Sequence, residues 1–329
     1  MVSGTFGSFN DLGNFIAISG QGLAMDGSLL VSSEGSLEAL ATYARATGAP
    51  VWVEYEAGER RVVDIWFAET GIVRDVTELS DRVVVDIMPL TRPIYVDYEN
   101  YPRLAALLDR SRKELLPIML ISDDEDRLLD AIASNDVPAI FDIQDEPPSL
   151  DENEITAEQA SVLFRDVMLF DSGPVPTSRS GIPFLYPDDG CWARAHRMGE
   201  VASDTGIVCQ KVWLYGSLAV LTANNPTCSV RWGYHVAICV QIEGDGPAVI
   251  DPSMFDAPVP LRLWIGAQSD PHANLHSSSS RVYYRPEIGR PLSYDDDRSR
   301  TAGVLTTYCG KLLRRSQQKG PPPYRQCST

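Results

Sequence analysis

Cys191, His235 and Asp251 lie in the second half of this 329-residue chain and have the residue types needed for nucleophilic acyl transfer. A thiol attacks as the thiolate, so the cysteine needs surroundings that favour the anion. Cys191 follows Asp188-Asp189-Gly190 and opens a run with helical spacing. Free backbone N–H groups at a helix N-terminus favour negative charge. The cysteine is therefore expected at a helix tip, with its sulfur reachable and Asp188 and Asp189 as caps. A base must lie within hydrogen-bond reach, and a third group must orient the base.

The base candidate is His235. In the predicted strand 234–242, Val236, Ile238, Val240 and Ile242 form one apolar face, and His235, Ala237, Cys239 and Gln241 form the other. The histidine thus lies opposite the buried side of its strand. A turn around Gly244 folds the predicted strand 247–251 back and brings Asp251 towards it. His196 is a rival base, but its offset from Cys191 sends it off to the side of the helix. His272 and His276 fall in a polar, Ser-rich stretch and are expected to be solvated. A cysteine met singly is more often a small apolar core residue, and an Asp before Pro more often ends a strand.

The elements that must position these residues form two halves. In the first, strands are predicted at 28–33, 51–56, 61–67, 83–88, 93–98 and 117–121. Helices are predicted at about Ser36–Thr47 and Tyr101–Leu115. The strand–helix–strand theme recurs weakly, as in a small α+β domain or a tandem pair. Residues 143–155 are acidic and contain Pro147 and Pro148, which reads as an exposed, protease-sensitive linker. The second half begins with a helix from Thr156 to Leu169, followed by a loop at 171–182, the Cys191 helix, and strands at 208–215, 228–232, 234–242 and 247–251.

Composition bounds the function. The net charge is −17, and it is uneven: residues 1–149 hold 26 acidic and 11 basic residues, and residues 150–329 hold 19 and 17. No basic face suits nucleic acid. No apolar run approaches the roughly 18 residues of a membrane span. The start, MVSGTFGSFND, lacks signal-peptide character. All six cysteines lie in the second half, without a C-x-x-C pair, so no metal site is expected. One or two disulfides are plausible there, with connectivity unreadable from spacing.

Four blocks, YPDDGCWARAHRM, VCQKVWLYG, SVRWGYHVAICV and VIDPSMF, occur in that order. With VYYRP at 282–286, they resemble the protein-glutaminases, bacterial enzymes that deamidate glutamine side chains in intact proteins. The resemblance runs from about residue 156 to about 308. It implies Cys191 as nucleophile, His235 as general base and acid, and Asp251 as orienter. It also implies an α+β fold with a papain- and transglutaminase-like core, in which the cysteine helix packs on an antiparallel sheet. No cofactor is implied.

The stretch IYVDYENYPRLAALLDRSRKELLPIMLI (94–121) resembles the inhibitory prosegment of these enzymes. The expected layout is thus a prosegment over 1–142, with 1–80 an unassigned extension, a linker over 143–155, and a catalytic domain over 156–329. The expected partners are glutamine-bearing proteins or peptides, the chain's own prosegment and an activating protease, with no nucleic acid or membrane. The resemblance implies secretion from a bacterium. Cys209 and Cys228 fall on family cysteine positions and are the disulfide pair it suggests; Cys309 and Cys327 pair or stay free. The tail from Gln317 is Pro-rich and expected to be flexible. Trp192, Tyr215, Trp232, Tyr234 and Ser253 lie near the motifs as candidate substrate-binding residues. Other readings are a cysteine protease or transglutaminase-like enzyme, a secreted deamidase toxin, and a non-enzymatic binding module.

Overall fold

The computed structural model describes residues 15–19, 35–56, 61–134, 147–150, 152–177, 181–284 and 298–327. The predicted strand at 28–33 lies outside them, as do all of 135–146 and the end of VYYRP.

The first half carries two antiparallel sheets. Strands β1 (Phe15–Ser19), β2 (Pro50–Glu56) and β3 (Arg61–Phe67) form one, in that order. Helix α1 (Ser36–Thr47) precedes β2 and ends on Gly48 in the left-handed conformation, where the missing Cβ removes the steric penalty. The second sheet has the order β6-β5-β4-β7-β8. Its strands are β4 (Glu69–Glu78), β5 (Val83–Met88), β6 (Ile94–Val96), β7 (Ile118–Ser122) and β8 (Leu128–Ala133). Helix α2 (Tyr101–Glu114) joins β6 to β7 and buries Leu104 and Leu108.

The second half begins with helix α3 (Ala157–Met168). Its N-terminus is closed by a capping box in which Thr156 Oγ1 accepts the Gln159 N–H and Gln159 Oε1 accepts the Thr156 N–H. Helix α4 (Cys191–Asp204) follows, then β9 (Gln210–Leu221), β10 (Ser229–Ile242), β11 (Gly246–Ile250), β12 (Val259–Pro260), a short helix α5 (Leu261–Gly266) and β13 (Asn274–Ser279). These strands form a five-stranded antiparallel sheet, β12-β11-β10-β9-β13. The long helix α6 (Arg298–Lys319) closes the chain. The fold class is thus mixed α+β with antiparallel sheets.

The two expected strands at 228–232 and 234–242 are one strand, β10, with a register shift between Trp232 and Tyr234. Gly233 sits in the irregularity, the usual meaning of a glycine inside a strand. The two faces of β10 divide as the alternation requires. Val236, Ile238, Val240 and Ile242 join the core containing α4, and Ala237 and Cys239 join a separate core with Trp264.

Three further expectations are corrected. The disulfide joins Cys228 to Cys327, and Cys209 and Cys309 are buried free thiols. Cys209 precedes β9 inside the α4 core, where Cys228 does not reach it. The tail is docked through residue 327: the Tyr324 N–H donates to Ala223 O at 2.7 Å, and the disulfide fixes the end. Within the expected linker, Pro148 and Ile155 are tied to the second-half sheet. The Ile155 N–H donates to Gln241 O (2.9 Å), the Glu243 N–H donates to Ile155 O (3.0 Å), and Gln210 Nε2 donates to Pro148 O (2.6 Å).

The halves share a core. One buried cluster contains Val83, Leu90, Leu104 and Ile118 from the first half, and Cys191, Trp192, Tyr234 and Val236 from the second. A second cluster joins α1, β2 and β3 to Cys309 and Leu313 of α6. Residues of the unassigned 1–80 stretch therefore pack on the C-terminal helix. At their contact a Cβ on Gly310 would come within 2.4 Å of the Phe67 ring.

Candidate active site

Cys191 is the first residue of α4, preceded by the N-cap Gly190 at φ 79°. Glycine is required there twice over, by its left-handed backbone and by Tyr308, whose ring a Cβ would meet at 2.5 Å. The aspartates do not cap the helix as expected. Asp189 Oδ1 accepts the Gly190 N–H at 2.8 Å, and its other partners come from the first half of the chain. Arg194, one turn along α4, donates to Tyr186 O (2.9 Å) and Asp189 O (2.5 Å) and holds the preceding loop against the helix.

His235 projects from β10, and its Nε2 lies 2.7 Å from Asp251 Oδ2. The hairpin register makes this contact. Ile238 pairs with Ile250, which puts Asp251 just beyond the end of β11 and diagonal to His235. Trp264 Nε1 also donates to Asp251 Oδ2 (2.9 Å), and the Ser253 N–H donates to Asp251 Oδ1 (3.2 Å). Burial alone would raise the Asp251 carboxyl. The His235 charge and the hydrogen bonds from His235 and Trp264 outweigh it and hold the carboxyl below its usual value.

Two indoles flank the imidazole. Trp232 stacks on it at 4.4 Å between ring centroids with planes 10° apart, and Trp264 stacks on the other pairing at 5.7 Å and 27°. His235 Nδ1 is buried and has no hydrogen-bond partner among the described residues. Cys191 and Val236, the neighbour of His235, are buried in one cluster. Helix α4 and strand β10 therefore bring the thiol to the residue beside the imidazole.

The thiol is not reachable as expected: Cys191 is 1% exposed. Burial pushes it well above the ordinary thiol value. Arg194 and the Val236 N–H oppose that shift, while Asp189 and Asp251 add to it. The magnitudes decide the outcome. A helix N-terminus is worth about 0.3–1 kcal/mol, whereas full burial shifts a pKa by up to about 3–5 units, or about 4–7 kcal/mol. The thiol is held neutral.

The segment Pro89–Arg92 of the first half is bonded to this part of the second half. Leu90 is buried in the Cys191 core. Tyr234 Oη donates to Pro89 O, the Gly233 N–H donates to Thr91 O (2.7 Å), and the Thr91 N–H donates to Asp189 Oδ1 (3.0 Å). A cleft of about 790 Å³ opens beside this segment, with walls that include Thr91, Arg92, Tyr215, Arg231 and Trp232.

The other candidates are placed as follows. Trp192 is buried edge-on to Tyr308, with its Nε1 unpartnered among the described residues. Tyr215 stacks with Tyr234 at 5.9 Å and lines the cleft. Ser253 is buried beside Asp251, with its Oγ unpartnered. His196 pairs with Lys211 Nζ at 3.0 Å and packs on Tyr283. His276 is not in a loop but on β13, exposed and edge-on to Tyr215. Trp264 and the Pro89–Arg92 segment escaped sequence reading. Neither carries a motif, and both reach the site only through the tertiary fold.

The family model described as glutaminase matches residues 158–268. The crystal structure of a pro-protein-glutaminase matches over 79% of this chain and 98% of its own, at 23% identity and TM-score 0.56. That is a likeness of fold. A crystal structure of protein-glutaminase is 33% identical over 47% of this chain and 88% of its own (TM-score 0.41). The protein-glutaminase of Chryseobacterium proteolyticum, solved by NMR, is 32% identical over 46% and 86% (TM-score 0.42). Comparison with curated proteins finds no match. The matched span contains Cys191, His235 and Asp251 together, and on that sequence likeness the chain belongs to the protein-glutaminase family.

Proposed function

We propose that this protein deamidates the side chains of protein-bound glutamine, and that the full chain is an inactive proenzyme. The observation that carries the reading is the His235–Asp251 pair at 2.7 Å, with Nδ1 unpartnered among the described residues and the adjacent strand residue Val236 buried in one cluster with Cys191. Asp251 takes the Nε2 side of the ring and leaves Nδ1 for the thiol. Once the Pro89–Arg92 segment departs, water and the imidazole let Cys191 ionise. The thiolate attacks the glutamine amide carbon, and the tetrahedral intermediate collapses as His235 hands its proton to the departing ammonia. The same imidazole then takes a proton from water, which hydrolyses the thioester to glutamate and frees the thiol.

The catalytic part is a papain- and transglutaminase-like core, with α4 bearing the nucleophile against the β10 sheet. The first half is the prosegment, and Leu90 with its neighbours closes the cleft. Activation is a cut by a separate protease between residues 134 and 148, ahead of the part of the linker that is docked on the catalytic sheet. The Cys228–Cys327 disulfide fits a secreted protein, since such bonds persist in oxidising surroundings.

The test is ammonia release from a casein-like substrate before and after limited proteolysis, with peptide cleavage and amine incorporation measured in parallel. Release is expected only after the cut, and Cys191→Ala is expected to abolish it. Peptide cleavage or amine incorporation in its place would replace this reading with a protease or a transglutaminase. Full activity in Cys191→Ala would remove the triad.

A further inference from the structure

The groups that hold the covering segment are recognition groups as well as a latch. Pro89, Leu90, Thr91 and Arg92 run consecutively across the mouth of the site. Pro89 and Thr91 are held by the second half through main-chain groups that any peptide chain offers. Tyr234 Oη donates to the carbonyl of Pro89, and the Gly233 N–H, released from the strand ladder by the irregularity in β10, donates to Thr91 O at 2.7 Å. Leu90 lies between these two anchors and belongs to the same buried cluster as Cys191. If the chain were a substrate, Leu90 would stand where the reacting side chain enters, Thr91 one residue on, and Arg92 two.

Asp189 reads both of the residues that follow. Its Oδ1 accepts the Thr91 N–H at 3.0 Å and the Thr91 hydroxyl at 2.9 Å, and its Oδ2 accepts Arg92 Nη1. Thr91 Oγ1 also lies 3.3 Å from Asp188 O. Asp189 is fully buried in this state. Of its hydrogen bonds, only that from its own Gly190 N–H comes from the second half. When the first half leaves, Thr91 and Arg92 go with it, and the carboxylate loses every other donor described here. A carboxylate that has lost its donors favours a chain that restores them, and a cationic side chain most of all.

We propose that Asp189 is a specificity-determining residue of the mature enzyme, which selects substrates with a peptide N–H and preferably a hydroxyl after the target glutamine, and a cationic side chain one residue further. The proposal rests on the deamidase reading given above. It makes the preferred sequence Gln-Thr/Ser-Arg/Lys, disfavours Glu or Asp at the second position by like-charge repulsion, and excludes Pro at the first because Pro has no N–H.

The test uses the full chain treated with protease until ammonia release from a protein substrate reaches a plateau. Ammonia release is then measured from capped peptides containing Gln-Thr-Arg, Gln-Thr-Ala, Gln-Thr-Glu, Gln-Ala-Arg and Gln-Pro-Arg. The expected result is a kcat/KM for Gln-Thr-Arg about tenfold above that for Gln-Thr-Glu, with Gln-Thr-Ala between, narrowing as salt screens the pair. Gln-Pro-Arg is expected to be the poorest. Asp189→Asn keeps an acceptor but loses the charge, so the Arg-over-Glu ratio should fall towards one. A flat panel from an enzyme active on protein overturns the proposal, as does an arginine preference that survives in Asp189→Asn. If that variant does not fold, the wild-type enzyme still decides. A synthetic peptide of residues 87–94 should inhibit it about tenfold more strongly than the same peptide with Arg92→Glu, and equal inhibition overturns the assignment. Release of no ammonia from any peptide or protein would bring down the deamidase reading, and this one with it.

Discussion

At the scale of single residues, the imidazole is held from three sides. Asp251 fixes Nε2, and Trp232 and Trp264 hold the plane of the ring. Trp232 is itself tied down, with its Nε1 3.1 Å from both Pro187 O and Asp188 O. The stack thus links His235 to the loop that leads into Cys191. Trp264 adds a hydrogen bond to Asp251, one of the terms that lower its carboxyl. Trp264→Phe keeps an aromatic ring but removes that donor. The Asp251 pKa should rise, and the acidic limb of the kcat/KM profile of the processed enzyme should move to higher pH, with a smaller change at the plateau. An unmoved limb with a uniform loss of activity would mean that Trp264 only packs. The partnership of His235 and Asp251 was legible because strand alternation and one Gly-centred hairpin fix it locally. Trp264 was not, because α5 returns to Asp251 through an irregular chain whose course no periodicity records.

At the scale of elements, the covering segment follows β5 and reaches the site because β5 belongs to a sheet whose core is continuous with that of α4 and β10. Leu90 is its apolar anchor. Leu90→Asp would place a carboxylate in a dry cluster that already holds Asp189 and lies beside Asp251, at a cost of several kcal/mol unless the segment lifts away. The intact chain should then release measurable ammonia without proteolysis, while the processed enzyme should match the processed wild type. An intact variant as silent as the wild type would show that the cover is held by the rest of the interface.

The strands β2, β3, β5 and β7 and the helices α1 to α4 were legible from alternation and helical spacing. Strand β4 was not: its exposed end, with Arg74, Asp75 and Glu78, reads as a solvated connection, and its Gly71 looks like a breaker. In fact a Cβ at Gly71 would meet Ile87 at 2.5 Å, so the glycine permits β4 to pair closely with β5. Helix α6 was missed for a related reason. Lys311, Arg314 and Arg315 suggest a wet face, yet each is buried against a carboxylate: Lys311 on Glu69, Arg314 on Asp64 (2.6 Å) and Arg315 on Asp188 (2.7 Å). The partners come from distant parts of the chain, and charge pairing at that range leaves no local pattern. The tail beyond α6 depends on the Cys228–Cys327 bond, which closes a sequence separation of 99 residues. A loop of that size is worth about 4.7 kcal/mol in the chain-entropy model. Cys327→Ser should therefore lower the melting temperature by several degrees or more, and reductant should do the same to the wild type but not to the variant.

At the scale of the whole molecule, the two halves are joined by a buried charge cluster as well as by apolar packing. Arg92 of the first half pairs with Glu69 (3.0 Å) and Asp126 of its own half and with Asp189 of the other, and Lys311 of α6 reaches back to Glu69. Buried ion pairs are weak evidence of net stability, because desolvation opposes their attraction. They do make the association depend on pH, and the sign follows from the shifts. Burial raises the Asp189 carboxyl to about 6, with Arg92 opposing and Glu69 adding. The docked state therefore binds a proton that the separated state, with a carboxyl near 3.8, does not, and docking strengthens as pH falls from about 6 towards 4. Glu69 behaves oppositely. Burial would raise it, but Arg92 and Lys311 win and lower it from 4.5 to about 2. Arg92 stays with Glu69 in the first half, so only the Lys311 part joins the halves; that part is complete above pH 4.5 and is lost as pH falls from there towards 2. Asp126, raised by burial against the pull of Arg92, acts in the direction of Asp189. Mild acid should thus tighten the grip of the first half on the second, and only stronger acid should release it. Size-exclusion of the chain nicked between residues 134 and 148 should show the fragments together from pH 7 to 5 and separating below about 4. Glu69→Gln should weaken association at neutral pH and flatten the loss at low pH. Separation of the wild-type fragments between pH 7 and 5 would mean that the cluster does not govern their association, which would then rest on the shared apolar core around Leu90 alone.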